Sequence, residues 1–310
     1  MKNGKYKIKE RKSNDITLYA LLLPGLIFIL IFCYAPLYGL IIAFKDYNSY
    51  AGILGSPWAE NFGFAHFKNF ITSPNFFQLL GNTVAISLYS LVVSFPLTIA
   101  LALFVNEIRN EKFKRVVQTI SYAPYFISTV VVVGIIFNIF SVSNGVINNI
   151  IKSLGGEPKF FLSETKYFRT LYVFSGLWQS IGWGSIIYVA ALSGVSPELH
   201  EAATIDGASR LQRIWHINLP AIKPVITITL ILNVGNMLSI GFEKIYLMQT
   251  QGNLEVSEII STYVYRVTLA SKAPQYSFGT AVGLFNSIVN VLLLTLANFV
   301  SKKVGEESLW

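Results

Sequence analysis

The sequence predicts an all-α membrane protein with six transmembrane helices. Of its 310 residues, 53% are hydrophobic and only 13% are charged, a composition too apolar for an ordinary soluble domain. A helix that crosses a bilayer needs about 20 predominantly apolar residues. A buried helix of a soluble domain explains one uncharged segment of this kind, but not six. The segments without Asp, Glu, Lys or Arg are 17–44, 82–105, 120–140, 171–192, 225–241 and 278–300.

The first and the fifth segments need separate arguments. Six basic residues precede the first segment, as they would in a secretory signal peptide. The apolar region of a signal peptide has about 7–15 residues, whereas residues 17–44 number 28, so we expect an anchor helix that is retained. Residues 225–241 number only 17. This span becomes long enough when it extends back to Lys223 and the lysine reaches the membrane interface.

The distribution of lysine and arginine predicts the orientation of the chain. With the N-terminus in the cytoplasm, the inner segments hold 15 basic residues and the outer segments hold nine, so we expect both termini to be cytoplasmic. The net charge of +8 follows from this bias. The sequence shows no basic groove interleaved with aromatic residues, so it does not indicate a nucleic-acid partner. The resulting regions are a basic N-terminus (1–16), a transmembrane domain (17–300), a C-terminal tail (301–310), inner loops 106–117 and 193–220, and outer loops 46–78, 141–169 and 242–277.

The inner loop 193–220 is polar but carries helix signals. Ser196 is a good N-cap, Pro197 fits the first helical position, and Glu198 places a negative charge in the first turn. Gly207 interrupts this short helix. A second amphipathic stretch follows and is expected to end at Pro220. From these residues alone, the loop is either an interfacial helix pair or an element that docks on a partner.

A motif in this loop favours docking. Residues 201–208 read Glu-Ala-Ala-Thr-Ile-Asp-Gly-Ala, and Ile217-Asn218-Leu219-Pro220 begins ten residues after Gly207. The pattern E-A-A-x-x-x-G with I-x-L-P resembles the EAA motif of permease subunits in binding-protein-dependent ABC importers. The resemblance covers roughly residues 17–300.

The flanking sequence is similar to the maltose-type and multiple-sugar branch of that family. One departure occurs at Gln251-Gly252-Asn253, where the branch often has Gly-Gly-Pro. The matching segments are Pro197-Glu198-Leu199, Leu177-Trp178-Gln179, Asn82-Thr83, Ala123-Pro124-Tyr125-Phe126, Val131-Val132-Val133-Gly134, Ile245-Tyr246-Leu247 and Thr262-Tyr263-Val264-Tyr265.

This resemblance implies a type I ABC importer permease fold in a bacterial cell membrane. It also implies a second permease subunit, two ATPase subunits that bind ATP and Mg, and an extracytoplasmic solute-binding protein. We expect the second permease to be a different chain, with a homodimer as the alternative. Small alanines suit a helix that enters a groove on the ATPase, and Gly207 suits the turn after it. The residues given a coupling role are Glu201, Ala202, Ala203, Asp206 and Gly207.

The residues offer no enzymatic site. His200-Glu201 lies in a sequence one residue short of the zinc motif H-E-x-x-H, because position 204 is threonine, and no phosphate-binding G-x-x-x-x-G-K-[ST] loop occurs. We therefore expect no catalytic residue, metal or cofactor in this chain. An ion-coupled secondary transporter is the alternative, although such proteins place ionisable residues at membrane depth and the six segments have none. A channel lacks an evident filter.

Two helix faces suggest a path for a sugar, but they do not fix its size; we expect an oligosaccharide. Aromatic faces stack on sugar C–H surfaces, while amides bond to hydroxyls. The alternative is that the amides join helices and that the tryptophan packs against lipid or a neighbouring helix. Both interpretations stay open at this point. The candidates are Gln179 and Trp183 in the fourth segment, and Asn233, Asn236, Met237 and Ile240 in the fifth.

Overall fold

The structure is a computed structural model that describes residues 12–305 and 307–310, with side chains from residue 18 onward. Most of the predicted N-terminal segment 1–16 therefore lies outside the described residues. In the part of the chain that is described, the regular elements are helical, apart from one isolated β-bridge between Lys45 and Trp58. The predicted all-α class is confirmed.

Fifteen α-helices follow one another in the described residues, with π and 3₁₀ turns at three places. The first span begins as α1 (Lys12–Ile29) and continues through a π turn (Leu30–Tyr34) and a 3₁₀ segment (Ala35–Phe44). The other helices are α2 (Gly52–Gly55), α3 (Ala65–Ile71), α4 (Phe76–Asn106), α5 (Glu111–Tyr122), α6 (Thr129–Phe140), α7 (Val146–Ser153), α8 (Thr165–Ser193), α9 (Pro197–Ile205), α10 (Arg210–Arg213), α11 (Leu219–Gly235), α12 (Phe242–Met248), α13 (Leu254–Ser257), α14 (Ile260–Thr268) and α15 (Tyr276–Lys303).

Four helical stretches of the described chain are long and apolar enough to cross a membrane, and a fifth is added if one bent pair counts as a single span. The helix α8 contains the predicted fourth segment. Its 29 residues give a length of about 44 Å, but Gln, Ser and Gly residues dilute its apolar character. The count of six spans therefore stays a prediction. The four stretches are Leu18–Phe44, Phe76–Asn106, Arg210–Gly235 and Tyr276–Lys303.

The third predicted segment, 120–140, is not one continuous helix. After α5 and the 3₁₀ turn Ala123–Phe126, the chain bends by 98° into α6. The prediction of a single helix was wrong because an extended residue, Ile127, separates the two parts. Ser128 caps α6, and the amide of Gln179 donates to the carbonyl oxygen of Ile127 at 2.9 Å. Backbone groups freed by a break at membrane depth need such partners.

The prediction that Pro220 ends the second inner helix was also wrong. The helix α10 continues through a π turn (Ile214–Asn218) into α11, and Pro220 lies in the first turn of α11. Within the π turn, the backbone N–H of Leu219 donates to the carbonyl of Ile214. Proline is tolerated at this position because its missing N–H falls where the bonding pattern changes. The fifth span is consequently longer than the sequence suggested.

Two long helices, α4 and α11, pack against α8. The helix α4 lies along α8, and α11 contacts both α8 and α15. Gly182 of α8 approaches the backbone of Ser121 so closely that a Cβ would overlap the Ser121 carbonyl. This contact brings the end of α5 against the middle of α8. The break in the third span therefore lies beside the centre of the helix packing.

Buried amides hold the outer loops together. Asn82, at the start of the second predicted segment, donates to the carbonyl oxygens of Glu255 and Glu258 at 2.8 and 3.0 Å. Its own oxygen accepts a 3.0 Å bond from Arg169. The neighbouring Thr83 hydroxyl accepts from the backbone N–H of Ile260 at 3.2 Å. These bonds join α4 to the loops 141–169 and 242–277.

The departure from Gly-Gly-Pro has a structural counterpart in the same region. Asn253 is fully buried, and its amide donates to Leu162 and Met248 carbonyls at 2.8 and 3.0 Å. A Cβ on Gly252 would lie 2.5 Å from the carbonyl oxygen of Ser163, so only glycine fits there. The glycine and the asparagine therefore fasten loop 242–277 onto loop 141–169.

Candidate functional site

A cavity of about 520 Å³ lies between α4, α8 and α11 and extends to the segment 236–241. Its polar groups are hydroxyls and amides, and none of its lining residues is acidic or basic. Such a lining suits a polar, uncharged group in transit. The lining residues are Ser87, Ser90, Leu91, Ser94, Phe95, Thr98, Tyr172, Ser180, Trp183, Gly184, Ile187, Tyr188, Thr229, Asn233, Asn236, Met237, Ser239, Ile240 and Gly241.

Five of the six residues predicted for the substrate path line this cavity. They come from α8, from α11 and from the segment that follows α11, so the two predicted helix faces meet at one cavity. Gln179 is the exception, because it is absent from the lining and its amide is engaged by the carbonyl of Ile127. For Gln179 the structure therefore favours a role in joining helices. The five lining residues are Trp183, Asn233, Asn236, Met237 and Ile240.

The ring of Trp183 has a fixed orientation. It stacks on Tyr125 with 4.6 Å between ring centroids and 5° between planes, and Phe126 meets it edge-on at 5.8 Å. Both partners belong to the 3₁₀ turn at the break of the third span. Trp183 is nevertheless 43% exposed. The break thus holds an aromatic surface that sugar C–H groups could stack on.

The two cavity asparagines keep hydrogen-bonding capacity. The amide of Asn233 donates to the carbonyl of Thr229 at 2.7 Å, and that of Asn236 donates to Leu232 at 3.0 Å. Both partners lie one turn earlier on the same helix. A primary amide has two donor hydrogens and a carbonyl oxygen, so each exposed side chain retains one donor and its acceptor for a ligand.

A stripe of hydroxyls on α4 was not predicted from the sequence. Ser87, Ser90, Ser94 and Thr98 all line the cavity. Their spacings of three, four and four residues place them on one helix face. This periodicity was visible in the sequence, but serine and threonine in a transmembrane helix often bond to their own backbone. Thr98 does so here, donating to the carbonyl of Ser94 at 2.7 Å.

The helix α9 has the predicted beginning and end. The Ser196 hydroxyl accepts a bond from the helix backbone, and Pro197 is the first helical residue. Gly207 adopts φ +80°. The N–H of Ala208 donates to Ala203 at 2.8 Å, and that of Gly207 donates to Thr204 at 3.1 Å. This pair of bonds is the Schellman ending of a helix, which requires a left-handed residue.

The helix α9 has no buried residue. Glu201, Ala202 and Asp206 are exposed, and the apolar side chain of Ile205 is 86% exposed. Glu201 lines a second cavity, of about 620 Å³, between α9 and the residues that follow α4. In the described part of the chain, no ion pair involves Glu201. An exposed face of this kind is typical of a contact with another protein.

Two side-chain bonds connect this inner region to the spans. Arg213 donates to the Thr204 hydroxyl at 2.7 Å, which braces α9 against the start of the fifth span. The fully buried Asn218 donates to the carboxylate of Glu107 at 3.3 Å, which joins the same span to the end of α4. The helix α9 is therefore tied to the start of the fifth span, and that span is in turn joined to the end of α4.

A family model described as the binding-protein-dependent transport system inner membrane component matches residues 94–306. The chain belongs to this family. It is therefore a multi-pass inner membrane permease and not a catalytic subunit. This family membership argues against the alternative class, an ion-coupled secondary transporter. The resemblance carried by the EAA motif is confirmed. Within the described residues, no group of three or more His, Cys, Asp or Glu is placed to hold a metal ion.

Two relatives from Bacillus subtilis strain 168 match this permease over most of their length. Protein LplB is 46% identical over 296 residues, which cover 96% of this chain and 92% of LplB. The polygalacturonan/rhamnogalacturonan transport system permease protein YteP is 47% identical over 293 residues, covering 94% of this chain and 90% of YteP.

Two solved structures share the fold of the permease. One is a bacterial ABC transporter involved in the import of the acidic polysaccharide alginate, with 39% identity, a TM-score of 0.84, and coverage of 94% of this chain and 97% of that chain. The other is a bacterial alginate ABC transporter in complex with an alginate pentasaccharide-bound periplasmic protein. It has 38% identity, a TM-score of 0.85, and coverage of 96% and 98%. The predicted type I importer fold is thereby supported over nearly the whole chain.

Proposed function

We propose that this permease moves an oligosaccharide through the cavity between α4, α8 and α11. The observation that carries the proposal is the lining of that cavity. It combines one oriented tryptophan face with hydroxyls and amides and has no acidic or basic side chain. Sugars offer both apolar C–H faces and hydroxyl groups, so this combination matches their chemistry. Relatives named for the transport of sugar polymers support the same substrate class.

The working unit contains further chains. One permease supplies half of a pathway, and the first span, Leu18–Phe44, has only 6% of its apolar window buried within this chain. Lipid and a second permease, expected to be a different chain, cover this surface. Two ATPase subunits that bind ATP and Mg supply the energy. An extracytoplasmic binding protein delivers the ligand, as the alginate transporter bound to its periplasmic protein suggests.

The helix α9 transmits the ATP-driven motion. Its exposed face, with Glu201, Ala202 and Ala203, enters a groove on the ATPase, where the carboxylate gains a charge-assisted contact. Asp206 and Gly207 end the helix and turn the chain toward the fifth span. Because Arg213 ties α9 to that span, closure of the ATPases moves the cavity walls as rigid bodies.

The orientation follows from the same scheme. Residues 106–117 and 193–220 face the cytoplasm with both termini, and the loops 46–78, 141–169 and 242–277 face outward. A single cysteine introduced at position 201 of a Cys33-free chain tests this topology. In intact cells, an impermeant thiol reagent should leave position 201 unlabelled; labelling from outside contradicts the orientation.

Reconstitution tests the transport function directly. The complete assembly in proteoliposomes should accumulate oligosaccharides only when ATP and the binding protein are present, and a panel of neutral and acidic oligosaccharides identifies the ligand. Uptake by the isolated chain without the ATPase, or ATP hydrolysis that no oligosaccharide stimulates, would overturn the proposal.

A further inference from the structure

Lys244 places a buried cation next to the cavity. It lies in α12, which begins directly after the cavity-lining residue Gly241, and it is only 8% exposed. Its ammonium donates to the carbonyl oxygen of Tyr172 at 3.3 Å and lies 5.1 Å from the centroid of the Tyr172 ring. The ammonium is also 3.4 Å from the position that a Cβ on Gly176 would occupy.

No carboxylate compensates this charge. In the part of the chain that the structure describes, the close carboxylate pairs are Asp46 with His66 and Glu258 with Arg266, and the neighbouring Glu243 is exposed. Burial without a counter-charge lowers the pKa of Lys244 to about 8. Removing one partner from a buried ion pair is strongly unfavourable, so an unpaired buried ammonium is a site where an anion would be stabilised.

A second buried lysine provides a contrast. Lys45 is 5% exposed, but it donates to the carbonyls of Ile53 and Leu54 at 2.9 and 3.1 Å and lies over the Trp58 ring. Those bonds fasten the outer loop, so Lys45 has a structural explanation. An ammonium has three donor hydrogens, and Lys244 uses one of them, in a longer bond. Two donors remain available at Lys244.

Tyr172 connects the ammonium to the substrate path. Its side chain lines the cavity, and its hydroxyl lies 3.8 Å from where a Cβ on Gly241 would be. The same residue therefore contacts both the cavity and Lys244. The flexible four-carbon stem of a lysine lets its ammonium reach around such a ring. The cavity lining itself has no basic side chain, and Lys244 is the buried cation held against the cavity residue Tyr172.

We propose that Lys244 binds a carboxylate of an acidic oligosaccharide, of the uronic-acid class, at the outer end of the cavity. This proposal rests on the proposed function and adds the charge of the substrate to it. Import of an acidic polysaccharide by a structural relative is consistent with this chemistry. The neutral cavity lining then serves the sugar rings and hydroxyls, while Lys244 recognises the acid group.

The test uses the complete importer in proteoliposomes with trisaccharides of galacturonate and mannuronate and with their carboxyl-reduced, neutral counterparts. Lys244→Gln and Lys244→Met should lower the uptake of the acidic sugar by about tenfold or more relative to wild type, as expected for a lost charge-assisted bond. Uptake of the neutral counterpart should change little, and Lys244→Arg should retain acidic uptake. Lys166→Gln is the matched control, because Lys166 is exposed and lies over the Tyr167 ring at 5.5 Å.

The outcomes separate this proposal from the proposed function. If wild type imports oligosaccharides but no uronic-acid sugar, the Lys244 proposal fails while the importer function stands. Equal losses for acidic and neutral sugars, or failure of both Gln and Met variants to assemble, would assign Lys244 a packing role and also overturn it. If wild type imports only the acidic sugar, retention by Arg together with loss in assembled Gln and Met variants supports it. Absence of any ATP-driven uptake removes both proposals.

Discussion

In the proposed orientation, the outer and inner ends of this permease satisfy their polar groups in different ways. At the outer end, Asn82 and Asn253 are buried, and their amides bond to backbone groups of distant loops. At the inner end, local hydrogen bonds at Ser196 and Gly207 cap the two ends of α9, and its large apolar residue Ile205 stays exposed. The outer end is complete within one chain, whereas the inner end presents a surface that another protein can cover.

Changes in α9 should give the largest effect on transport. Glu201→Ala removes the exposed carboxylate, and Gly207→Leu forces a side chain into a left-handed turn, which costs about 1–2 kcal/mol. Both variants should insert normally, because neither residue is buried. Uptake should fall to background and copurification of the ATPase should weaken. Glu157→Ala, an exposed acid of an outer loop, is the control. Wild-type uptake and copurification in both variants would show that α9 is only an interfacial helix.

A change at the outer end should act on stability instead. Asn82→Ala leaves the Glu258 carbonyl and the Arg169 guanidinium without their described partner, and we expect a loss of about 3 kcal/mol in the free energy of unfolding. The melting temperature of the purified chain should fall measurably. Asn236→Ala is the comparison, because that exposed amide bonds only within its own helix. Equal melting temperatures for the two variants would contradict the distinction between Asn82, which stabilises the fold, and Asn236, which faces the cavity.

Two tryptophans of α8 sharpen the comparison within the membrane. Trp183 lines the polar cavity and stacks on Tyr125, whereas Trp178 lines a separate apolar cavity next to Phe174. Trp183→Ala should lower oligosaccharide uptake by about tenfold through lost stacking, with the ATPase still bound. Trp178→Ala should leave uptake close to wild type. A larger loss from Trp178→Ala would move the path to the other side of α8.

The smallest effect concerns pH. Burial lowers the pKa of Lys244 to about 8, so its charge is present at neutral pH and disappears as pH rises past that value. The ratio of acidic to neutral sugar uptake should fall several-fold between pH 7 and 9 in wild type. Tyr172 is the titratable residue placed against the ammonium. In Lys244→Arg the ratio should stay constant, since guanidinium remains charged; an equal fall would assign the pH effect to another group.

Local chemistry made the inner end predictable from sequence. Ser196, Pro197 and Gly207 each impose a backbone geometry that depends on few neighbours, and the structure places a cap, a first turn and a left-handed residue there. Helical spacing likewise brought Trp183 and Asn233 to the same cavity. Spacing defines which residues share a face, and the uncharged composition identified which segments lie in the membrane.

Long-range contacts account for what the sequence did not predict. The break at Ile127 depends on the Gln179 amide from another helix and on the close approach of Gly182 to Ser121. Gln179 therefore does not line the cavity, because its amide is engaged by a bend that its own segment does not contain. The prediction that Pro220 ends the helix failed because the π turn before it depends on backbone bonding that side-chain propensities do not report.

The π turn between α10 and α11 sets the rotation of α9 about the axis of the fifth span. A π turn holds one residue more than an α-helical turn, and one residue corresponds to about 100° of rotation along an α-helix. Winding Ile214–Asn218 as regular α-helix without deleting a residue would turn Arg213, and with it α9, by about that angle relative to Asn233 and Asn236, whereas deleting one of these residues together with that change would nearly preserve the alignment. The angle between α9 and the cavity asparagines therefore depends on the one additional residue in this turn.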